Sequence, residues 1–228
     1  MTSSAVHIWI IVPAYNEAAR IARTLQTLLP HYPNVVVIDD GSRDTTRQAA
    51  HDAGAWVLRH EVNSGQGAAL QTGLDFALRQ GAEYLVTFDA DGQHDPEDIA
   101  KLLALLNKGE TDVALGSRFL GQTVDMPFTR KLILKAGVLF TRIVSNIKVT
   151  DTHNGLRAFT RSAASKLHLV QDRMAHASEI LDQIRQQQLR YVEVPVTIRY
   201  TAETLAKGQT SMQAVKIAGE LLLGRMIK

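Results

Sequence analysis

Residues 35–59, VVVIDDGSRDTTRQAAHDAGAWVLR, contain one complete strand–helix–strand unit. Val35–Asp39 is a short run of mostly β-branched residues and predicts a buried strand, and Ala55–Arg59 predicts a second one. Between them, the apolar residues of Thr45–Ala53 recur at three- and four-residue steps, which predicts a helix. This order of elements is the building unit of a parallel sheet covered by helices.

The same alternation extends along the chain on both sides of this unit. Further strands are predicted at Val6–Val12, Tyr84–Phe88 and Asp112–Leu115, and further helices at Glu17–Leu29, Gly67–Gln80 and Glu97–Asn107. The repeat indicates an α/β fold with a mainly parallel central sheet and helices on both faces. Ligands of such sheets bind beyond the carboxyl ends of the strands, so the functional residues are expected there.

The composition excludes several classes of protein. The chain has 228 residues, with 25 Lys and Arg, 23 Asp and Glu, and no cysteine. A net charge of +2 is far from the bulk basicity of a dedicated nucleic-acid-binding protein, so we expect no nucleic-acid partner. Without cysteine the chain has no disulfides, thiolate zinc sites or cysteine nucleophiles, and any bound metal must use oxygen or imidazole ligands.

One segment, 118–148, is strongly basic. It contains six cations and one acid, which gives a local net charge of +5. Within it, 132–147 reads as a helix whose apolar face is broken by Lys135 and Arg142, so it is suited to lie on a membrane surface. An ordinary surface helix is the open alternative. No stretch of the chain approaches the roughly 20 apolar residues of a membrane-spanning helix, and Val6–Val12 lacks the flanks of a signal peptide.

Polar, turn-rich segments follow the first four predicted strands. They are 13–17 (PAYNE), 39–44 (DDGSRD), 63–67 (NSGQG) and 89–95 (DADGQHD). Because the carboxyl ends of parallel strands meet at one edge of a sheet, we expect these four segments to converge there. That convergence is a stronger indication of a ligand site than any one of the segments.

Asp89 and Asp91 carry the sharpest chemical signal. Two carboxylates two residues apart at a strand end can face one oxygen-preferring cation, and Gln93 can add an amide oxygen. The expected ion is Mg²⁺ or Mn²⁺, which would bridge the phosphates of a nucleotide and neutralise a departing diphosphate. Asp95, by contrast, is explained as a helix N-cap before Pro96.

The other three segments are less specific. Asp40 can accept hydrogen bonds from a base or ribose, and Tyr15 can stack on a base, but Glu17 can equally favour a helix N-terminus. The glycines of 63–67 allow a phosphate to approach a helix start, although turn chemistry explains them as well. The segment matches neither a dinucleotide fingerprint nor a P-loop, which weakens an ATPase interpretation.

Six motifs in register resemble the family 2 glycosyltransferases of the GT-A fold, and within them the polyprenyl-phosphate hexose synthases. They are IVPAYNE (11–17), VIDDGSRDTT (37–46), NSGQGAALQTGL (63–74), FDADGQHDPEDI (88–99), GSRF (116–119) and DTHNGLRAF (151–159). The resemblance runs from about residue 7 to residue 211. It implies a GT-A catalytic domain over 1–210. After it we expect a C-terminal helix over 211–228 and no transmembrane segment, which departs from the many relatives that carry membrane-spanning helices there.

The resemblance also implies roles for individual residues. Pro13, Tyr15, Glu17 and Asp40 would line the nucleotide, with Gln66 nearby, and Asp89, Asp91 and Gln93, in the DXD motif region, would hold the cation and diphosphate. Arg118 and Arg130 would grip the phosphate of a lipid acceptor, with Ser117 close by, and Arg199 and Lys207 would close over the donor phosphates.

The implied reaction is a metal-dependent transfer of a hexose from a nucleoside-diphosphate sugar to a polyprenyl phosphate, with inversion at the anomeric carbon. A phosphate acceptor is already an anionic nucleophile and needs no strong base. Two alternatives stay open. A transferase of the same fold that extends a saccharide hydroxyl would need a base, for which Glu179 is the candidate; an inactive nucleotide-sugar-binding scaffold is the other.

The resemblance places the protein on the cytoplasmic, inner face of the plasma membrane as a peripheral enzyme of bacterial surface polysaccharide assembly. The final segment, 214–228, is apolar and basic but short. It is suited to lie on the membrane, pack on the domain, or contact a small membrane-protein partner or a second subunit in a homodimer.

Overall fold

The computed structural model describes residues 7–128, 131–132, 134–135, 137–138, 147–171 and 175–200. In chain order the elements are β1 (Ile8–Ala14), α1 (Ala18–Leu28), β2 (Val35–Asp39), α2 (Thr46–Asp52), β3 (Trp56–Arg59), α3 (Gln66–Arg79), β4 (Tyr84–Thr87), α4 (Glu97–Leu106), β5 (Val113–Val124), β6 (Arg157–Thr160), α5 (Arg161–Ala164), α6 (His176–Gln186) and β7 (Tyr191–Arg199). The predicted helix at 132–147 and the C-terminal helix at 211–228 lie largely or wholly outside the described residues.

The seven strands form one sheet in the order β3-β2-β1-β4-β6-β5-β7. Strands β1 to β4 are parallel to one another, and β7 is parallel to β5. Only β6 is antiparallel, to β4 on one side and β5 on the other. The predicted α/β architecture with a mainly parallel sheet is therefore confirmed, and the carboxyl ends of β1, β2, β3, β4 and β5 lie at one edge.

Strand β1 shows how the helices cover both faces of the sheet, because successive side chains of a strand point to opposite faces. Ile10 and Val12 belong to a buried cluster that includes side chains of α1, α2 and α4. Trp9 and Ile11 belong to a second cluster that includes side chains of α3, α5 and α6. Burial of these two apolar clusters is the main source of stability for the domain.

Two strands extend beyond the C-terminal boundaries expected from the sequence. Strand β1 continues through Pro13 to Ala14, pairing Pro13 with Ile38, whereas the prediction ended at Val12. Strand β5 continues to Val124 instead of ending at Leu115, and its pairing with β7 shifts register between Ser117 and Gln122. A bulge of this kind bends the strand and re-aims its side chains, which takes Arg118 out of the regular ladder.

None of the described helices is both long enough and apolar enough to cross a membrane.

Candidate functional site

Four loops at the carboxyl edge of the sheet are joined to one another by hydrogen bonds. Each loop bonds to the next one, so the convergence expected from the sequence is confirmed by direct contacts. The bonds run from the amide of Asn16 to Oγ of Ser42 (2.9 Å), from the amides of Ser64 and Gly65 to the carboxylate of Asp40 (2.9 and 2.7 Å), and from Nε2 of Gln66 to Oδ1 of Asp89 (3.3 Å).

The two carboxylates predicted as a cation site lie together in the turn after β4. Oδ2 of Asp89 is 3.0 Å from Nε2 of His94, and Oδ1 of Asp91 accepts the backbone N–H of Gln93 at 3.0 Å. The backbone oxygen of Gln93 in turn accepts the N–H of Arg199 at 3.0 Å. The turn is therefore fixed on one side by its own backbone and on the other by the end of β7.

Gly155 provides the space for the Asp89 carboxylate. A Cβ atom at this position would lie 2.1 Å from Oδ2 of Asp89 and 2.3 Å from Oδ1, far inside van der Waals contact. The carbonyl of Gly155 is held by the hydroxyl of Thr87 at 2.6 Å. The turn that precedes β6 and the end of β4 thus fit together only because residue 155 has no side chain.

The two carboxyl groups have opposite electrostatic environments. Burial favours the protonated form of Asp89, but the hydrogen bond with His94 and the positive charge of Arg157 outweigh it and lower its pKa. Burial raises the pKa of Asp91 to about 6, and the negative charge of Asp89 adds to this effect. Two acids held this close repel each other, and a cation between them would relieve the repulsion.

These donors fit a hard divalent ion. Within the described ranges no group of three or more His, Asp or Glu side chains is arranged to hold a metal by itself. Two carboxylates and an amide oxygen are nevertheless a donor set that suits Mg²⁺ or Mn²⁺, which usually keep water or substrate phosphates as their remaining ligands. Close packing against Gly155 holds one of these carboxylates, that of Asp89, in place.

The carboxylate of Asp40 makes hydrogen bonds to other residues of the protein. Its Oδ1 accepts the amide of Ser64 and contacts Nδ1 of His60 at 2.8 Å, and its Oδ2 accepts the amide of Gly65. The side chain is almost fully buried. Sequence reasoning placed it against the nucleotide; the structure places it beneath the 63–67 loop, whose backbone it shapes.

The remaining nucleotide-lining candidates differ in their access to the edge. Tyr15 is 42% exposed and lies at the end of β1, where a planar base could stack on it. Pro13 is buried within β1. Glu17 is half-buried and its carboxylate accepts from Arg20 at 2.7 Å, while its amide donates to the hydroxyl of Thr46.

Arg118 lies at the same edge, where it is buried in a network of its own. Its Nε donates to Asp151 at 2.6 Å, and its two terminal nitrogens donate to the hydroxyl of Tyr200 at 2.8 Å and the carbonyl of His153 at 3.0 Å. Ser117 beside it is fully buried, with its hydroxyl 2.6 Å from that of Thr150. Arg118 therefore anchors the turn after residue 150 and presents only part of its guanidinium to a ligand.

A cavity of about 240 Å³ opens beside Arg118. Lys131 and Lys135, both exposed, line it together with the apolar side chains of Phe119 and Met126. Thr123 and Gly121 complete the lining. Cations next to two apolar side chains suit a phosphate that carries a hydrocarbon chain.

The other cations predicted to bind phosphate are Arg130, Arg199 and Lys207. Arg130 and Lys207 lie outside the described residues. Arg199 is exposed and donates to Asp95 at 3.2 Å. Asp95 also accepts the amide of Glu97 at the start of α4, which agrees with the capping role expected from the sequence.

Glu179, the candidate base, is buried on α6. Its Oε1 and Oε2 accept the amide of Val170 at 3.1 and 3.2 Å, and Oε2 accepts the amide of Gln171 at 3.0 Å. The carbonyl of Gln171 packs directly on Gly67 at the start of α3. In this arrangement Glu179 holds a loop against the helix that begins at the candidate phosphate loop.

Three residues at the site were missed by the sequence reasoning: His94, Gly155 and Arg157. His94 and Gly155 both contact Asp89, and each occurs in a quoted motif without a role. Arg157 is buried in β6 and donates to the carbonyls of Asn154 and Thr152 at 3.0 and 3.2 Å; burial lowers its pKa to about 10. A cation immediately followed by the apolar pair Ala158 and Phe159 is a signal that could have indicated this buried charge.

Comparisons with known proteins agree with this geometry. A family model described as Glycosyl transferase family 2 matches residues 9–168, more than half of the chain. A UDP-N-acetylglucosamine–dolichyl-phosphate N-acetylglucosaminyltransferase from Methanococcus voltae is 34% identical over 243 residues, covering 97% of this chain and 97% of that protein. An undecaprenyl-phosphate mannosyltransferase from Micrococcus luteus is 33% identical over 204 residues, covering 84% and 83%.

A solved structure shows the same fold. Glucosyl-3-phosphoglycerate synthase from Mycobacterium tuberculosis, crystallised with phosphoglyceric acid, superposes with a TM-score of 0.72 at 20% identity, covering 95% of this chain and 80% of that one. The same enzyme has also been crystallised with Mn²⁺, UDP and glucosyl-3-phosphoglycerate. The expected GT-A fold is thereby confirmed.

Proposed function

The chain belongs to glycosyl transferase family 2, and from this membership we propose that it transfers a hexose from a nucleoside-diphosphate sugar to a polyprenyl phosphate. The reaction would depend on a divalent cation and invert the anomeric carbon. The names of the two relatives from Methanococcus voltae and Micrococcus luteus, each a transferase to a polyprenyl phosphate, support this acceptor class.

The donor would bind along the four joined loops. The Asp40-supported loop at 63–67 leads into α3, and backbone amides at such a helix start suit a phosphate. Asp89 and Asp91, with Gln93, would hold Mg²⁺ or Mn²⁺ there, and Arg199 and Lys207 would approach the same phosphates. Bound at this place, the ion supplies charge neutralisation for the departing nucleoside diphosphate. The solved relative that holds Mn²⁺ and UDP supports this assignment.

The cavity beside Arg118 is the observation that carries the acceptor assignment. Lys131 and Lys135 supply positive charge for a phosphate, and Phe119 and Met126 supply apolar contact for the first units of a hydrocarbon chain. A neutral saccharide would gain little from this combination of charge and apolar surface. In this proposal, Arg118 and Arg130 add to the positive charge that binds the acceptor phosphate.

The position of Glu179 supports the same choice of acceptor. A sugar hydroxyl needs a base to become a nucleophile, whereas a phosphate monoester already carries the charge. The carboxylate of Glu179 is buried and engaged with the backbone amides of Val170 and Gln171. With a phosphate acceptor, the protein's work is to position the two substrates and stabilise the leaving group.

We further place the enzyme on the inner face of the plasma membrane as a peripheral protein that acts in surface polysaccharide assembly. Leu120, Phe128 and Leu132 are exposed apolar side chains in the same basic segment as the exposed cations Lys131 and Lys135. Apolar side chains next to lysines suit the boundary between headgroups and acyl chains of an anionic bilayer. The same proposal includes binding to a small membrane-protein partner and assembly into a homodimer.

A direct assay tests the proposed acceptor. Purified protein with Mg²⁺ or Mn²⁺ would be given a set of radiolabelled nucleotide sugars and either undecaprenyl phosphate or a panel of oligosaccharides. We expect labelled sugar-lipid with at least one donor and no extended saccharide. The double variant Lys131→Ala/Lys135→Ala should raise the KM for the lipid phosphate and leave the KM for the donor near the wild-type value.

The same assay separates the alternatives. Transfer to a saccharide with no sugar-lipid would replace this proposal by the hydroxyl-acceptor function. Equal background rates for the wild type and Asp91→Ala would indicate an inactive binding protein.

A further inference from the structure

His94 is packed in one orientation directly behind the predicted cation site. Its ring lies against Phe88, with ring centres 5.4 Å apart, and its backbone bridges to Ile198 of β7. The side chain is almost fully buried. Strands from both sides therefore fix this imidazole, and it has little freedom to turn away from Asp89.

The two nitrogens of the His94 ring have different surroundings. Nε2 is 3.0 Å from Oδ2 of Asp89. Nδ1 is buried and has no hydrogen-bond partner in the part of the chain that the structure describes. An ionised carboxylate can only accept, so Nε2 must carry the hydrogen.

The bond from His94 decides how the carboxylate of Asp89 faces the site. Oδ2 accepts from Nε2 of His94, while the same group rests against Gly155 and cannot rotate into it. Among the described residues, Oδ1 accepts only the longer bond of 3.3 Å from Gln66. The two oxygens are therefore unequal, and Oδ1 is the one left for a ligand.

We propose that His94 is a positioning residue: its Nε2–H donates to Oδ2 of Asp89 and fixes the carboxylate with Oδ1 turned toward the cation and diphosphate. This inference rests on the proposed metal-dependent function. His94 does not touch the substrates; it acts through Asp89. Hydrogen bonds to metal-binding carboxylates commonly influence metal affinity in this way.

The tautomer is measured on the metal-free wild-type protein. Nitrogen-15 NMR with labelled histidine distinguishes a ring nitrogen that carries hydrogen from one that does not, and the His94→Gln spectrum assigns the His94 signals among the eight histidines. We expect a hydrogen on Nε2 of His94, the nitrogen that faces Asp89. A bare Nε2 would overturn the inference.

The consequence is measured as Mn²⁺ affinity, by electron paramagnetic resonance of free Mn²⁺ without nucleotide or acceptor. His94→Phe keeps a ring against Phe88 but removes the donor, and it should weaken Mn²⁺ binding by about 10–100-fold. His94→Gln places an amide N–H near the position of Nε2 and should restore most of the affinity. His60→Phe breaks another imidazole–carboxylate bond, to Asp40 at 2.8 Å, and should leave Mn²⁺ affinity unchanged.

Circular dichroism and melting temperatures would establish that each variant is folded. Wild-type affinity in His94→Phe would overturn the role of His94 and leave the proposed function standing. No Mn²⁺ binding by the wild type would overturn the metal dependence itself, and the role of His94 with it. An equal loss in His60→Phe would show a general effect of burial changes and would also count against His94.

Discussion

Asp91 is held where its charge is unfavourable in the absence of a cation. Its pKa in the folded protein, about 6, lies above the ordinary value of 3.8 because of burial and the neighbouring charge of Asp89. The folded state therefore binds a proton more tightly than the unfolded chain, and the stability contributed by this group falls as the pH rises through this range. Above it, the ionised Asp91 destabilises the metal-free fold.

The first prediction concerns this conflict between stability and function. In metal-free protein, Asp91→Asn should raise the free energy of unfolding by about 1–3 kcal/mol at about pH 8, and the gain should disappear at about pH 4. The same variant should lose most sugar transfer. Urea denaturation with chelator at the two pH values measures the gain.

The exposed carboxylate of Asp52, changed to Asn, is the control and should show no such difference. A gain of equal size at both pH values would contradict the prediction.

The second prediction distinguishes a structural glutamate from a base. Glu179→Gln replaces one acceptor oxygen by an N–H₂ group that faces the backbone amides of Val170 or Gln171. Leaving such buried donors unmatched costs about 1–3 kcal/mol, so the urea midpoint should fall. Because Glu179 is not expected to move a proton in the reaction, the pH profile of kcat should keep its wild-type shape. Loss of one limb of that profile would restore Glu179 as the base.

At the scale of elements, the loop between β3 and α3 depends on a residue from another loop. Asp40 accepts the amides of Ser64 and Gly65 on its two oxygens. In Asp40→Asn one of these amides must face an N–H₂ group, which should both destabilise the protein by about 1–3 kcal/mol and weaken UDP binding. Calorimetric titration with UDP measures the second effect.

A matched variant is available on α3 itself. Asp75 accepts only from Gln71 among the described contacts, on the helix surface, so Asp75→Asn should leave UDP affinity unchanged. If Asp40→Asn bound UDP as tightly as the wild type, the 63–67 loop would not owe its shape to Asp40.

Sequence patterns predicted the elements whose signal lies within a few neighbouring residues. Val35–Asp39 is a strand in both views, because five residues of mostly β-branched character bounded by a turn are sufficient evidence. Strand β6 has only four residues, so it carried no recognisable period. Its place between β4 and β5 depends on pairing with distant residues, which no short pattern contains.

The features of the candidate site also differ in whether the sequence could predict them. Asp89 and Asp91 could be predicted because adjacent carboxylates at a strand end have few other uses. The inward orientation of Asp40 and the pairing of Arg118 with Asp151 could not, because each depends on a partner more than 20 residues away. Spacing along the chain identifies which groups are present at an edge, and tertiary contacts decide which of them face a ligand.

At the scale of the whole molecule, charge and apolar exposure coincide on one side. Phe128 and Leu132, 79% and 62% exposed, lie in the same basic segment as Lys131 and Lys135. Phe128→Ser/Leu132→Ser should weaken binding to vesicles that contain phosphatidylglycerol by at least about 10-fold, since each buried apolar side chain contributes about 1.5–3 kcal/mol. Co-sedimentation measures this binding.

Equally exposed valines elsewhere provide the comparison. Val62 and Val170 are 70% and 76% exposed and lie outside the basic segment, so Val62→Ser/Val170→Ser should bind vesicles like the wild type. Equal losses in both double variants, or none in either, would show that the 118–148 side does not face the bilayer.

The contacts of Arg118 and Ser117 have a consequence for how this family can diversify. Arg118 bonds to Asp151 and Ser117 to Thr150, so two stretches of chain that are 33 residues apart in sequence meet inside the domain. The first residues after Arg118 stay in the sheet, where β5 pairs with β7 as far as Val124. A segment exchanged between Val124 and Thr150 would leave both of these bonds and the β5–β7 pairing in place. Chimeras joined at these two positions would therefore test whether this segment determines acceptor preference.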